Sequence, residues 1–149
     1  MKGGTIMNIT IIHCDGSFNR HTGIGGYGAV VRHKGKITEI SEAFESVRSS
    51  ARAEMLGMIR SIEVYGPKAT RIQIYSDAKS IIDGINIHWD KWVKTGMIDE
   101  LINKDLWLRI KALSNKYTIE WFWVKGHSGD VHNNRADTLA KEAVEGIAW

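Results

Sequence analysis

The apolar period of this chain changes abruptly at Ser50, and that change limits what it can fold into. Ahead of it lie β-branched segments. Ile6 to Cys14 ends at Asp15-Gly16-Ser17, which predicts a strand running into a turn or bulge with Asp15 at the strand's end. Gly23 to Val31 leads into a second strand, and His33-Lys34-Gly35-Lys36 predicts a tight connection to a third over Ile37 to Phe44. Beyond Ser50 the spacing becomes helical: Met55, Met58, Ile59 and Ile62 fall at i, i+3, i+4 and i+7. Ser49 or Ser50 is placed to cap this helix, and Gly66-Pro67 to stop it.

The later segments repeat the alternation. Ile72 to Tyr75 reads as a short buried strand ending at Ser76-Asp77, with Ile81, Ile82 and Ile85 continuing as a helix. Leu106, Ile110 and Leu113 mark a helix over Leu101 to Ser114, Tyr117 to Val124 a last strand, and Asn134 to Val144 a last helix. The order βββαβα, further helices, then βα predicts an α/β (α+β) fold. Its mixed five-stranded sheet has three antiparallel strands followed by parallel ones, flanked by helices. One domain over residues 1–149 is expected, with residues 1–6 a frayed tail.

Composition removes several classes. No apolar run approaches the roughly 18 residues of a membrane span, and the N-terminus lacks the apolar block of a secretory signal. With Cys14 as the one cysteine, no internal disulfide can form, so a reducing, cytoplasmic setting is expected. A net charge of +3 suits a polyanionic partner, although 20 cations against 17 anions do not identify one.

Asp15, Glu54, Asp77 and Asp137 are each predicted at a strand end or in the first turns of a helix, Asp137 in the first turn of the last one. Adjacent strands lie about 5 Å apart, so Asp15 and Asp77 share one rim if their strands are neighbours. The words around the acids are Cys14-Asp15-Gly16-Ser17, Arg52-Ala53-Glu54-Met55, Tyr75-Ser76-Asp77-Ala78 and Asn134-Arg135-Ala136-Asp137-Thr138-Leu139-Ala140, the last preceded by Trp123-Val124-Lys125-Gly126-His127-Ser128-Gly129. Singly, each is a weak signal. Together and in this order, on a matching element order, they resemble type 1 ribonuclease H, an endonuclease family that cuts the RNA strand of RNA/DNA hybrids.

The resemblance implies a ribonuclease H-like fold in which Asp15, Glu54, Asp77 and Asp137 bind two Mg²⁺ or Mn²⁺ ions, and cleavage that leaves 5′-phosphate and 3′-hydroxyl ends. Crowded carboxylates repel one another unless cations neutralise them, and oxygen donors suit hard dications, whereas no Cys/His cluster offers a zinc site. Two such ions about 4 Å apart activate a water on one side of a phosphate and stabilise the leaving oxygen on the other. Asp15 is the expected bridging ligand, and Glu54 a partner for the ribose 2′-hydroxyl that DNA lacks. His127, between Gly126 and Gly129, is expected to assist proton transfer or product departure. His13, His21, His33, His88 and His132 carry no such support and are read as structural.

Trp89, Lys91, Trp92 and Lys94 resemble the family's basic protrusion, which grips the DNA strand through phosphates. Asp90, Asp99 and Glu100 dilute its charge, which predicts a weaker or more salt-sensitive grip. Where many relatives carry asparagines before the helix glutamate, this chain has Ser49-Ser50-Ala51-Arg52, leaving Ser50 and Arg52, with Asn19 and Arg20 of the first loop, as expected backbone contacts. A monomer is expected. Two competitors follow from the same residues: a junction-resolving or strand-transfer nuclease of related fold, and a binding module without chemistry. The Lys-Gly-His-Ser-Gly loop and tryptophan-rich segment argue against the first, and the four intact acids against the second.

Overall fold

The computed structural model describes residues 8–146, so the tail expected over residues 1–6 lies outside the described residues. Strands β1 (Ile9–Phe18), β2 (Gly25–His33) and β3 (Lys36–Phe44) form an antiparallel meander. Helix α1 (Ser50–Tyr65) follows, then β4 (Arg71–Ser76), α2 (Lys79–Asp83), a π-helical turn over Gly84–His88, α3 (Trp89–Thr95), α4 (Lys104–Lys116), β5 (Ile119–Trp123) and α5 (Val131–Gly146). The sheet order is β3-β2-β1-β4-β5, with β4 parallel to both β1 and β5. The mixed sheet expected from the element order is therefore present, and β1 and β4 are neighbours. No helix among the described residues is long and apolar enough to cross a membrane.

The sheet is covered on both faces. On one, Ile12, Cys14, Ala29, Val31, Ile72 and Ile74 meet Met55, Met58, Ile59 and Ile62 of α1 and Leu106 and Ile110 of α4, all buried. This is the main core, and the helical period read from the sequence is the face that fills it. Emptying one position, as in Ile59→Ala, costs about 2–5 kcal/mol. On the other face α5 lays Ala136 and Leu139 against Val30. Ser49 is the cap of α1, its side chain accepting from Arg52 N–H at 3.2 Å, which leaves the Ser50 side chain exposed in the first turn.

Three boundaries differ from expectation. The helix expected over Leu101 to Ser114 runs from Lys104 to Lys116, its N-cap position being Asn103. The predicted turn at Asp15-Gly16-Ser17 is instead strand: β1 continues to Phe18, paired residue by residue with β2 from Asp15↔Gly28 to Phe18↔Gly25. The parallel partner β4 is what ends early, its pairing with β1 stopping at His13↔Tyr75. A strand between unequal neighbours ends on one side only, which a one-dimensional pattern cannot register. Likewise α5 begins at Val131 rather than Asn134, because Asp130 Oδ1 accepts from Asn133 N–H at 2.9 Å and nucleates the helix earlier. Asp137 consequently lies in the second turn, not the first.

Candidate active site

The two faces of the sheet converge where β1 passes the end of β4. Gly16 sits on the α1 face, and a Cβ there would stand 2.5 Å from Glu54 N. Gly28, opposite Asp15 in the register, sits on the α5 face, and a Cβ there would stand 2.5 Å from Ala140 N and 2.6 Å from Leu139 Cβ. Missing side chains at these two positions let α1 and α5 approach the sheet backbone from opposite sides. Asp15 lies between them, and the close approaches deliver Glu54 from one helix and Asp137 from the other.

Asp15, Glu54 and Asp77 each offer a carboxylate oxygen, and the three atoms lie within 4.8 Å of one another. Gly16 N–H donates to Asp15 Oδ1 at 3.0 Å and to Glu54 Oε1 at 3.1 Å, so one amide aligns two acids. Asp137 approaches Asp15 from α5, and Lys141, one turn on, pairs with it at 3.1 Å. Gly126 closes over the third acid: a Cβ there would meet Asp77 Oδ2 at 2.9 Å.

The electrostatics follow from burial. Asp15 is 6% exposed. Burial first, then its hydrogen bond and charge repulsion with Glu54, push its carboxyl up to about 10. Burial also raises Glu54, with hydrogen bonds from Asp15 and Gly16 opposing it. Burial would raise Asp137 as well, but hydrogen bonds with Asp15 and Lys141 outweigh it and hold the group low. Burial and the neighbouring acids drive the Cys14 thiol well above its ordinary value, so it stays protonated as apolar filler beneath the site. Without added positive charge the rim retains a proton instead of a full set of carboxylates. Its donors are all oxygen, close together and partly desolvated, which fits hard divalent cations.

His127 is exposed, in a left-handed backbone conformation at φ 56°, in a loop closed by Ser128 Oγ donating to Lys125 O at 2.6 Å. It lies near enough for its charge to help lower Asp137. The expected substrate contacts are more scattered. Asn19 Oδ1 accepts from the N–H groups of His21 and Thr22 at 2.9 and 3.3 Å, shaping the first loop. The Arg52 guanidinium is held by Asp105 through two bonds of 2.9 Å and by Asn103 at 3.2 Å. Trp89 and Trp92 pack against the main core, Trp92 edge-on to Trp107 with centroids 5.1 Å apart, while Lys91 and Lys94 are exposed.

Three contacts were not singled out from the sequence. Lys141 was legible, being four residues after Asp137 on a helix. Trp123 is 44% exposed, donates its indole N–H to Asp77 O at 3.3 Å and carries Lys79 Nζ 5.7 Å from its ring, a placement no spacing rule reports. Gly28 carried no signal beyond being a glycine in a strand.

A family model described as RNase H matches residues 7–145. The ribonuclease H of Francisella philomiragia is 38% identical over 144 residues, covering 94% of this chain and 93% of that protein. Among solved structures, LC9-RNase H1, described as a type 1 RNase H with the type 2 active-site motif, superposes with a TM-score of 0.77 over 97% of this chain and 75% of that one, at 24% identity. LC11-RNase H1 in complex with an RNA/DNA hybrid gives 0.72 over 94% of this chain and 99% of that one, at 18% identity. At these identities the structural likenesses show the fold. The chain belongs to the ribonuclease H family, and it is a ribonuclease H enzyme.

Proposed function

We propose that this enzyme cuts within the RNA strand of RNA/DNA hybrids by hydrolysis, leaving 5′-phosphate and 3′-hydroxyl ends, with two Mg²⁺ or Mn²⁺ ions held at Asp15, Glu54, Asp77 and Asp137 when substrate is bound. The observation that carries this reading is the rim itself: three carboxylate oxygens within 4.8 Å, with a buried Asp15 at the centre. Bound dications supply Lewis acidity toward phosphate and lower the pKa of a water nucleophile. The chain's own groups do the rest. Gly16 N–H orients Asp15 and Glu54, leaving Glu54 free to accept from a ribose 2′-hydroxyl. His127, exposed on its loop beside Asp137, moves a proton at the edge of the site.

Hybrid as substrate is supported by family membership and by the complex formed by LC11-RNase H1. Asn19, Ser50 and Arg52 flank the rim on the first loop and α1, and contact the RNA backbone. Lys91 and Lys94 contact phosphates of the DNA strand from α3, with Trp89 and Trp92 as the packed base that presents them. We assign the enzyme to the cytoplasm as a monomer.

Labelled hybrid, single-stranded RNA, duplex RNA and DNA, each incubated with Mg²⁺ or Mn²⁺, test the reading. Metal-dependent scission of only the hybrid's RNA strand is expected. An intact hybrid at low salt with either metal would sink it.

A further inference from the structure

One row of rings crosses the sheet just before the acids. His13 of β1, Tyr75 of β4 and Phe122 of β5 are register partners, Tyr75 with each of the other two. They stack in sequence, His13 on Tyr75 at 4.8 Å and 9°, and Tyr75 on Phe122 at 4.9 Å and 21°. Asp15 stands two residues beyond His13 on the same face of β1, and Asp77 directly follows the end of β4. The row is thus the floor on which the acid rim rests.

His13 is the odd member. It is 3% exposed and its Nδ1 has no partner, a burial that costs about 1–3 kcal/mol and that a phenylalanine would avoid. What the imidazole supplies instead is Nε2, 3.7 Å from Asp130 Oδ1, with His132 tilted against the same ring at 5.2 Å. Asp130 Oδ1 also caps α5 through Asn133 N–H at 2.9 Å, and its carbonyl accepts from Asn134 N–H at 2.9 Å. In sequence Asp130 directly follows the His127-Ser128-Gly129 loop and precedes α5. One carboxylate therefore touches the floor of the site, the root of the loop and the start of the helix that carries Asp137.

We infer that Asp130, through His13, is a positioning residue that pins α5 and the His127 loop to β1 and so holds Asp137 against Asp15. It touches neither substrate nor ions, and its effect is felt through the acids it places. The inference rests on the catalytic reading above.

Asp130→Ala, Asp130→Asn, His13→Phe and the double variant His13→Phe/Asp130→Ala are compared with the wild type for hybrid kcat and KM. Mn²⁺ affinity is measured separately by calorimetry, and Tm by thermal melting. Partners that orient metal ligands typically matter by 10- to 100-fold, so Asp130→Ala is expected to lower kcat and weaken Mn²⁺ binding by about tenfold, with hybrid KM within about twofold. Asp130→Asn retains an oxygen that caps the helix and meets His13, and restores most of both. His13→Phe keeps the ring row, loses Nε2 and matches Asp130→Ala in direction, with the double variant no worse than Asp130→Ala. The inference is overturned if Asp130→Ala lowers Tm but leaves kcat and Mn²⁺ affinity intact, or if the two single effects multiply. Should Asp130→Ala not fold, His13→Phe decides on the same two readouts. A wild type inert on hybrid overturns the functional reading, while the Mn²⁺ affinities still decide the role of Asp130.

Discussion

The acid rim and the helix α3 were both singled out by residue type, yet they are built in opposite ways. At the rim the central carboxylates are set largely by backbone: β1 continuing past the end of β4, Gly16 and Gly28 admitting two helices, and one amide aligning two carboxylates. On α3 the lysines stand exposed while the two tryptophans, three residues apart, are anchored against a core they help to close. The difference teaches that chemistry needing sub-ångström placement is assigned to the ends of buried strands, whereas contact with a long, repetitive polyanion tolerates mobile side chains on a firm base.

The comparison predicts that substitutions at the rim abolish turnover and those on α3 modulate binding. Asp77→Asn gives the largest effect, a loss of about 10²- to 10³-fold in hybrid cleavage as several kcal/mol of transition-state stabilisation disappears. Hybrid affinity, read by gel shift, stays within a few-fold; a parallel loss of affinity would erase the distinction. Next, Gly28→Ala places a methyl among Ala140 N and Leu139 Cβ, both within 2.6 Å of its ideal position. It should lower stability by about 1–3 kcal/mol in denaturant melts and depress kcat as α5 retreats, whereas an unchanged melt would mean that the helix gives way without strain.

On α3 the two residue types separate. Trp92→Ala lowers Tm, because the indole packs against Trp107 and over Gly84. Lys91→Ala/Lys94→Ala leaves stability within about 0.5 kcal/mol, but weakens hybrid binding and lowers the slope of log affinity against log salt by about 1 per lysine. Equal effects of both substitutions on Tm and binding would break the division of labour. The smallest effect belongs to Asp105, which the Arg52 hydrogen bond lowers to about 2. Depressed below its unfolded value, this carboxylate contributes stability that is present above about pH 4 and lost as pH falls through about 2. The pair is mostly exposed on the Asp105 side, so Asp105→Asn should cost less than about 1 kcal/mol at pH 7. The gap from wild type should narrow as melts are taken down towards pH 2; a gap that stays constant from pH 7 down to pH 2 would assign the effect to packing.

Local chemistry made much of this molecule legible. The β-branched runs, the helical period of Met55, Met58, Ile59 and Ile62, and the words around the four acids each depend on residues a few positions apart, so sequence alone determined the element order and pointed to the residues in which we propose the chemistry is concentrated. Tertiary structure decided what faces what. That β1 outruns β4 depends on the unequal lengths of its two neighbours, that Gly28 admits α5 depends on a helix more than a hundred residues away, and that Arg52 is held at α4 depends on Asp105 lying opposite it. Propensity and period are properties of a segment, while register, close approach and burial are properties of pairs of segments, and no segment carries its partner's position within it.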